Sequence, residues 1–178
     1  VELSTFVNDW LEENLEPIHV GEDLSFDAWI EQTNYNRKRR EDLRAIYEDR
    51  LEEVDSPRSV LVNIFGKDET YSDWKYMRGI LPRSDYFKIH FGPLMKVIEK
   101  EVYKNKFFIK HVPEALRPGV IVDDIYQEGA NYFVSDHTSF EAAFVPEVME
   151  ACEFALYRHM SKHNVHAQQV LDKCLPSI

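Results

Sequence analysis

Apolar residues recur at Leu3, Phe6, Val7, Trp10, Leu11 and Leu15, the stagger of one helix face, and the charged positions between them are all acidic. The spacing predicts a short amphipathic helix within residues 1–20, interrupted by Pro17 and Gly21. Ser25 then stands as an N-cap before a second helix from about Phe26, with Trp29, Ile30, Leu43, Ile46, Tyr47 and Leu51 as core contacts and a break near residues 34–36. After Asp55, Ser56 and Pro57 the run SVLVNIF, residues 59–65, reads as a β-strand that Gly66 ends. Residues 67–83 hold Gly, Pro and many charges with little periodicity, which predicts a loop or a ribbon of short strands.

Helical spacing returns over residues 87–103 through Ile89, Phe91, Leu94, Met95, Ile98 and Val102, with Pro93 at a helix start. Residues 106–111 form a short apolar strand candidate, and Pro113, Pro118 and Gly119 frame a turn region. Two further strands are expected at residues 120–126 and 132–136 around a turn at 127–131. A loop and a helix over residues 146–163 follow, with Val148, Met149, Cys152, Ala155, Leu156 and Met160 down one side as a core face. The alternation predicts an α+β class, rich in helix with short strands, and shows no internal repeat or low-complexity tract.

At 178 residues and 44% apolar composition the chain can bury one good core or two small ones. No apolar run approaches the roughly 18 residues of a membrane span, so the chain reads as a soluble globular piece. It opens on no secretory signal, and Cys152 and Cys174 lack a metal-site spacing, which reads them as reduced and structural. Its first residue, Val1, and its Leu-Pro-Ser-Ile end suggest cuts through something longer. The net charge of -11 argues against a nucleic-acid partner until its distribution is considered. Residues 1–35 hold nine acids and no Lys or Arg, whereas residues 67–110 hold ten basic residues against six acids. A local basic field is what a polyanion meets; single cations also simply solvate helix surfaces, and the Arg37 to Arg40 run admits both readings.

Two segments carry candidate chemistry. In residues 67–83 the order Lys67, Glu69, Lys75, Arg78 and Arg83 can present several cations to one triphosphate, with Glu69 holding an arginine in place by an ion pair. No glycine-rich phosphate loop occurs, so such a clamp would work through side chains. In residues 132–144, YFVSDHTSFEAAF, Asp136 follows a strand-like run and Glu141 comes five residues later. A carboxylate at the carboxyl end of a strand is suited to a metal; the same pair equally suits an ordinary surface loop.

FGKDETYSDWKYMRGILPR at 65–83 resembles fingers motif F, and YFVSDHTSFEAAF resembles palm motif A, of the RNA-directed RNA polymerases of positive-strand RNA viruses, the tombusvirus-like group in particular. Three more segments fit the same family in the same order: SFDAWIEQTNYNRKRREDL at 25–43, YFKIHFGPLMKVIEKEVYK at 86–104 and FFIKHVPEALRP at 107–118. The resemblance runs over residues 23–163. It implies a right-hand polymerase divided into an acidic segment at 1–22, fingers at 23–118 and the start of the palm at 119–178. It also implies that Asp136 is the catalytic carboxylate that binds Mg2+ or Mn2+, and that Glu141 lies near the incoming ribose. Many relatives have Asp where this chain has Glu141, which is one methylene longer. Arg78 matches the motif F arginine on the triphosphate, Lys67 and Glu69 its leading Lys-x-Glu, and Arg83 its trailing arginine, with Lys75 and Lys110 fitting more loosely. The implied partners are RNA template, nascent RNA, nucleoside triphosphates and the remainder of a polymerase chain, in the host cytoplasm or at replication membranes. The later Gly-Asp-Asp motif is not in this sequence, so the chain alone is expected to be inactive.

Other readings stay open. Asp123 and Asp124 in VIVDDIY would complete a metal hairpin if that motif stood ahead of motif A. His159, His163 and His166 share a helix face at i, i+4 and i+7 and could take zinc, or simply favour a helix carboxyl end. A hydrolase would use Asp136, Glu141 and these histidines. The rival of another class is a non-catalytic helical interaction or RNA-binding domain.

Overall fold

The computed structural model describes residues 2–49, 61–138 and 140–178. Its elements are α1 (Glu2–Asn14), α2 (Phe26–Glu31), α3 (Arg37–Asp49), β1 (Phe65–Gly66), β2 (Gly79–Ile80), α4 (Asp85–Val102), α5 (Arg117–Ile125), α6 (Pro146–Ala151), α7 (Glu153–Ser161) and α8 (Val165–Cys174). Short 3-10 turns occupy Glu114–Leu116, Phe140–Ala143 and Leu175–Ser177. This helix-rich set with one small sheet fits a broad α+β class. The chain divides into two compact units: one runs up to Ile18 and resumes over Ile98–Met160, the other joins His19–Val97 to Ser161–Ile178.

In the second unit the local signals hold. Ser25 Oγ accepts from Ala28 N–H at 3.2 Å and starts α2, and Asn36 Oδ1 accepts from Arg39 N–H at 2.9 Å to start α3 after the break. Their apolar faces close a core of Phe26, Trp29, Ile30, Leu43 and Ile89, with Ile46 and Tyr47 packed against it. Phe26 stacks on Tyr47 at 4.2 Å between ring centroids. Leu51, expected in this core, lies outside the described residues.

The basic run resolves into structural bonds. Arg37 pairs with Glu41, Arg40 donates to the carbonyls of Tyr35 and Thr33, and Arg39 grips Asp85 with two bonds of 2.8 and 2.5 Å. The Arg39–Asp85 pair ties α3 to the first turn of α4, where an acid also suits the helix dipole. Both side chains are only about a third exposed or less, at 32% and 27%. Asp85→Asn is expected to cost about 1 kcal/mol, the upper range for a pair that solvent still reaches. The Arg39 bonds hold the Asp85 carboxyl below its ordinary value of 3.8, against the opposing effect of burial. A lowered folded pKa means the contribution is complete above the unfolded value and fades as pH falls through the folded one. Urea melts should therefore separate the two proteins at neutral pH and bring them together in strong acid.

Helix α4 begins at Asp85 rather than at Pro93, because Ser84 Oγ already accepts from the Phe87 N–H at 3.3 Å. Pro93 sits inside it, and the burial of Phe91, Leu94 and Val97 on either side offsets the one backbone bond a proline removes.

In the first unit Leu11 of the expected α1 face is buried, with Leu15 and Ile18 just beyond the helix, whereas Leu3 and Phe6 of that face are exposed. The expected single helix over 146–163 is two, α6 and α7, parted at Cys152, whose backbone at φ -114 and ψ -72 stays in the right-handed region but well off ideal helical values. Residues 120–126 are not a strand: Pro118 opens α5 in its first turn, and the helix carries Val120, Ile121 and Val122 despite their β-branching. Residues 106–111 form turns and 132–136 an unpaired irregular stretch. The strand expected at 59–65 survives only at its end: residues 59 and 60 lie outside the described residues, Val62 makes a lone bridge to Arg83, and pairing begins at Phe65. No described helix is long and apolar enough to cross a membrane.

Candidate functional site

Residues 61–67 and 78–84 run antiparallel in one register. Phe65 faces Ile80 and Gly66 faces Gly79, Asn63 N–H donates to Pro82 O at 3.0 Å, and Lys67 N–H donates to Arg78 O at 2.8 Å. Lys67 and Arg78 thus leave the ribbon directly opposite each other. Residues 68–77 join the two arms, and Glu69 folds back between the cations. Its Oε1 lies 2.7 Å from Lys67 Nζ and 2.5 Å from Arg78 Nη2, while Arg78 Nε donates to Oε2 at 2.9 Å. Tyr71 donates its hydroxyl to the same carboxylate. The Arg78 bonds first, then those of Lys67 and Tyr71, hold the Glu69 carboxyl down to about 2. It is therefore ionised at any physiological pH, and it fixes the orientation of the guanidinium. Lys75 Nζ stands 5.0 Å from the centre of the Tyr71 ring, which keeps it beside the cluster.

The ribbon gathers Lys67, Glu69 and Arg78, with Lys75 linked through Tyr71. Arg83 is engaged elsewhere. Its Nη1 donates to Ser177 O at 2.6 Å, its Nη2 to Ser177 Oγ at 2.9 Å, and its guanidinium lies 4.1 Å over Phe87. It fastens the last turn of the chain to the second arm of the ribbon. Lys110, the looser match, lies 3.2 Å from Tyr103 Oη and 3.5 Å from Glu99.

Asp136 and Glu141 belong to the other unit. Asp136 is exposed in the irregular stretch that follows Tyr132, whose hydroxyl accepts from Gln127 N–H at 2.6 Å and anchors the turn at Gly129. Glu141 is exposed in the 3-10 turn Phe140–Ala143. The turn is packed by aromatic contacts of Phe140 with His137 at 5.9 Å and with Phe144 at 5.0 Å.

Asp123 and Asp124 lie on helix α5, not on a hairpin strand, so the permuted metal hairpin is not formed. The histidine face is also divided by structure: His159 is buried, its Nε2 2.8 Å from Leu15 O and its Nδ1 3.4 Å from Glu12, and Asn164 caps a new helix before His166. Among the described residues no group of three or more His, Cys, Asp or Glu side chains could hold a metal ion. Magnesium at a triphosphate site commonly takes one or two carboxylates and completes its shell with phosphates and water. The exposed Asp136 fits that chemistry as a single donor.

Tyr71 was not singled out in the sequence, although a signal existed: it stands two residues from Glu69, and alternate residues of an extended stretch share a side. No family model, no curated protein and no solved structure matches the chain.

Proposed function

We propose that the chain is the fingers and first palm part of an RNA-directed RNA polymerase, in which the ribbon at 61–84 receives the triphosphate of the incoming nucleotide. The observation that carries this reading is the Lys67–Glu69–Arg78 cluster at the mouth of that ribbon. An ionised Glu69 holds Arg78 by Nε and Nη2 and so orients the guanidinium for a phosphate oxygen, and Lys67 adds a point charge on the opposite arm. Phosphoryl transfer to a 3′-hydroxyl requires charge neutralisation on the triphosphate, which such cations supply without any covalent step. Asp136 is the metal-binding carboxylate and Glu141 the residue near the ribose. When bound, Mg2+ or Mn2+ supplies stabilisation of the attacking and leaving oxygens. Template and nascent RNA are the partners, in the cytoplasm of a host cell.

Arg78→Ala is expected to weaken binding of a ribonucleoside triphosphate about tenfold or more, since bonds to a charged group contribute about 1.5–3 kcal/mol. Glu69→Gln should weaken it less, by loosening the arginine rather than removing it. Calorimetric titration with ATP checks both, and unchanged affinity in Arg78→Ala would remove the cluster from the site.

A second reading, a non-catalytic RNA-binding domain, draws on Trp74 and Tyr76, 77% and 81% exposed and in edge contact at 4.5 Å, beside the same cations. Exposed aromatic rings among cations suit stacked single-stranded bases. Under that reading single-stranded RNA binds and ATP does not compete.

A further inference from the structure

The first arm of the ribbon, residues 61–67, is open along its outer edge. Its odd positions bond inward: Asn63 and Lys67 donate to the carbonyls of Pro82 and Arg78, and Leu61 O accepts from Ser84 N–H at 3.0 Å. Alternate residues of an antiparallel ladder face away from the partner strand, so Val62, Ile64 and Gly66 turn their N–H and C=O groups outward. Among the described residues nothing bonds to those groups, and residues 61–66 are all exposed, Ile64 at 73%. Edges of this kind are ordinarily blunted by Lys, Pro or a bulge. Here the run LVNIFG at 61–66 has no charge and no Pro, in a chain that is 30% charged. The second arm is closed at one end, where Arg83 is fastened to Ser177 and α4 begins at Asp85. A two-stranded ribbon is marginal in water by itself, whereas three or more strands with an apolar face hold together.

From this uncharged, unpaired and exposed edge we propose that residues 62–66 pair with the same residues of a second copy of the chain, across a two-fold axis at Ile64, into a four-stranded antiparallel sheet. The outward set is centred on Ile64, so the edge is complementary to itself: Ile64 meets Ile64 of the second copy, Val62 meets Gly66, and every outward N–H and C=O of the three residues is bonded. The side chains suit that register. Val62, Ile64 and Leu81 stand on one exposed apolar face, and Val62 comes beside a residue that has no side chain. Met77 lies over Gly66 and is long enough to cover Val62 of the second copy. The charge pattern favours a like copy here and nowhere else along the ribbon. At -11 each, two chains repel over most of their surfaces, but Lys67 is the only charge in 61–67, and the two-fold sets the two Lys67 side chains at opposite ends of the pair. An interface built on residues 62–66 falls short of the roughly 1,200 Å² at which standard-size interfaces begin, so the dimer is weak and reversible.

The test is sedimentation equilibrium of the whole chain from about 10 μM to about 1 mM, where a weak dimer passes from minor to major species. Ile64→Lys and Ile64→Pro should each weaken association about tenfold or more, one by placing a charge on the axis and the other by removing an outward N–H. Neither touches a bond inside the ribbon, since Ile64 faces out, and a thermal melt verifies that the fold is kept. The register is tested by cysteine crosslinking in a Cys152→Ser background, Cys174 being buried. Ile64→Cys should give a disulfide-linked dimer on oxidation, because directly opposite residues of a bonded pair have Cα atoms about 5.5 Å apart, within disulfide reach. Val62→Cys should not, because its opposite number is Gly66. A chain that stays monomeric throughout leaves the edge to a different partner and overturns the proposal. So would association unchanged in Ile64→Lys and Ile64→Pro, or crosslinking at position 62 as efficient as at 64. Neither nucleotide nor template enters the experiment, so its result stands apart from the polymerase reading.

Discussion

Asp136→Ala is expected to abolish magnesium-dependent nucleotide incorporation by a polymerase chain carrying these residues. Metal-assisted stabilisation of transition-state charge contributes several kcal/mol, so losing the carboxylate proposed to hold the ion should slow transfer about a thousandfold or more. Its local structure makes this loss separable from unfolding. Asp136 is exposed, and among the described residues no hydrogen bond or ion pair engages its carboxylate, so removing it leaves no buried partner unsatisfied. Thermal melts of the variant should therefore overlay those of the parent while single-turnover incorporation disappears. Asp136→Asn keeps the size and removes the charge, and it should fail in the same way. A variant that incorporates nucleotides at the parent rate would take Asp136 out of the chemistry and leave it an ordinary loop acid.

Gly92→Ala should destabilise the second unit by about 1–2 kcal/mol, although glycine to alanine inside a helix ordinarily stabilises by about 1 kcal/mol. A Cβ at this position would stand 2.7 Å from Cζ2 and 2.8 Å from Cε2 of Trp29. That indole is a buried, rigid ring in contact with Phe26 at 5.7 Å and Tyr35 at 6.4 Å, so it has nowhere to retreat. Overpacking a filled core costs about 1–3 kcal/mol, which outweighs the propensity gain. Gly66→Ala is the internal control. Its Cβ would approach the Met77 sulfur even more closely, but Met77 is 75% exposed and can swing away. Urea unfolding of the two variants should show a clear loss for the first and little change for the second; a neutral Gly92→Ala would mean that Trp29 is free to move.

The chain showed its helices in advance where the signal was short-range. Ser25, the break at 34–36 and the apolar stagger of α1 and α4 all act within one or two turns, and each element formed where those residues stand. The ribbon was legible from Gly66, Gly79 and Pro82 among charges, and so was a Glu69 ion pair with an arginine, but that Arg78 and not Arg83 is the partner came only with the fold. The strands expected at 106–111, 120–126 and 132–136 failed for a common reason. An apolar β-branched run is compatible with a strand only if another strand comes alongside, and no described residue pairs with any of the three. Where Pro118 offered a helix start, the middle run took the helix instead.

By itself, then, the sequence determined where several helices begin, α2, α3 and α6 among them, which of their faces are apolar, and that four cations and three acids crowd residues 67–83. Only the tertiary structure decided what each cation is for. Arg39 closes on Asp85 across 46 positions and Arg83 on Ser177 across 94, and both become fasteners of the fold, while Arg78 remains at the open end of its ribbon with Glu69 nine positions away. Caps and helix bonds reach no further than about four residues, so they can be read from neighbours. An ion pair between distant residues exists only after packing has met the entropy of closing the chain between them, and that is settled by the whole core at once.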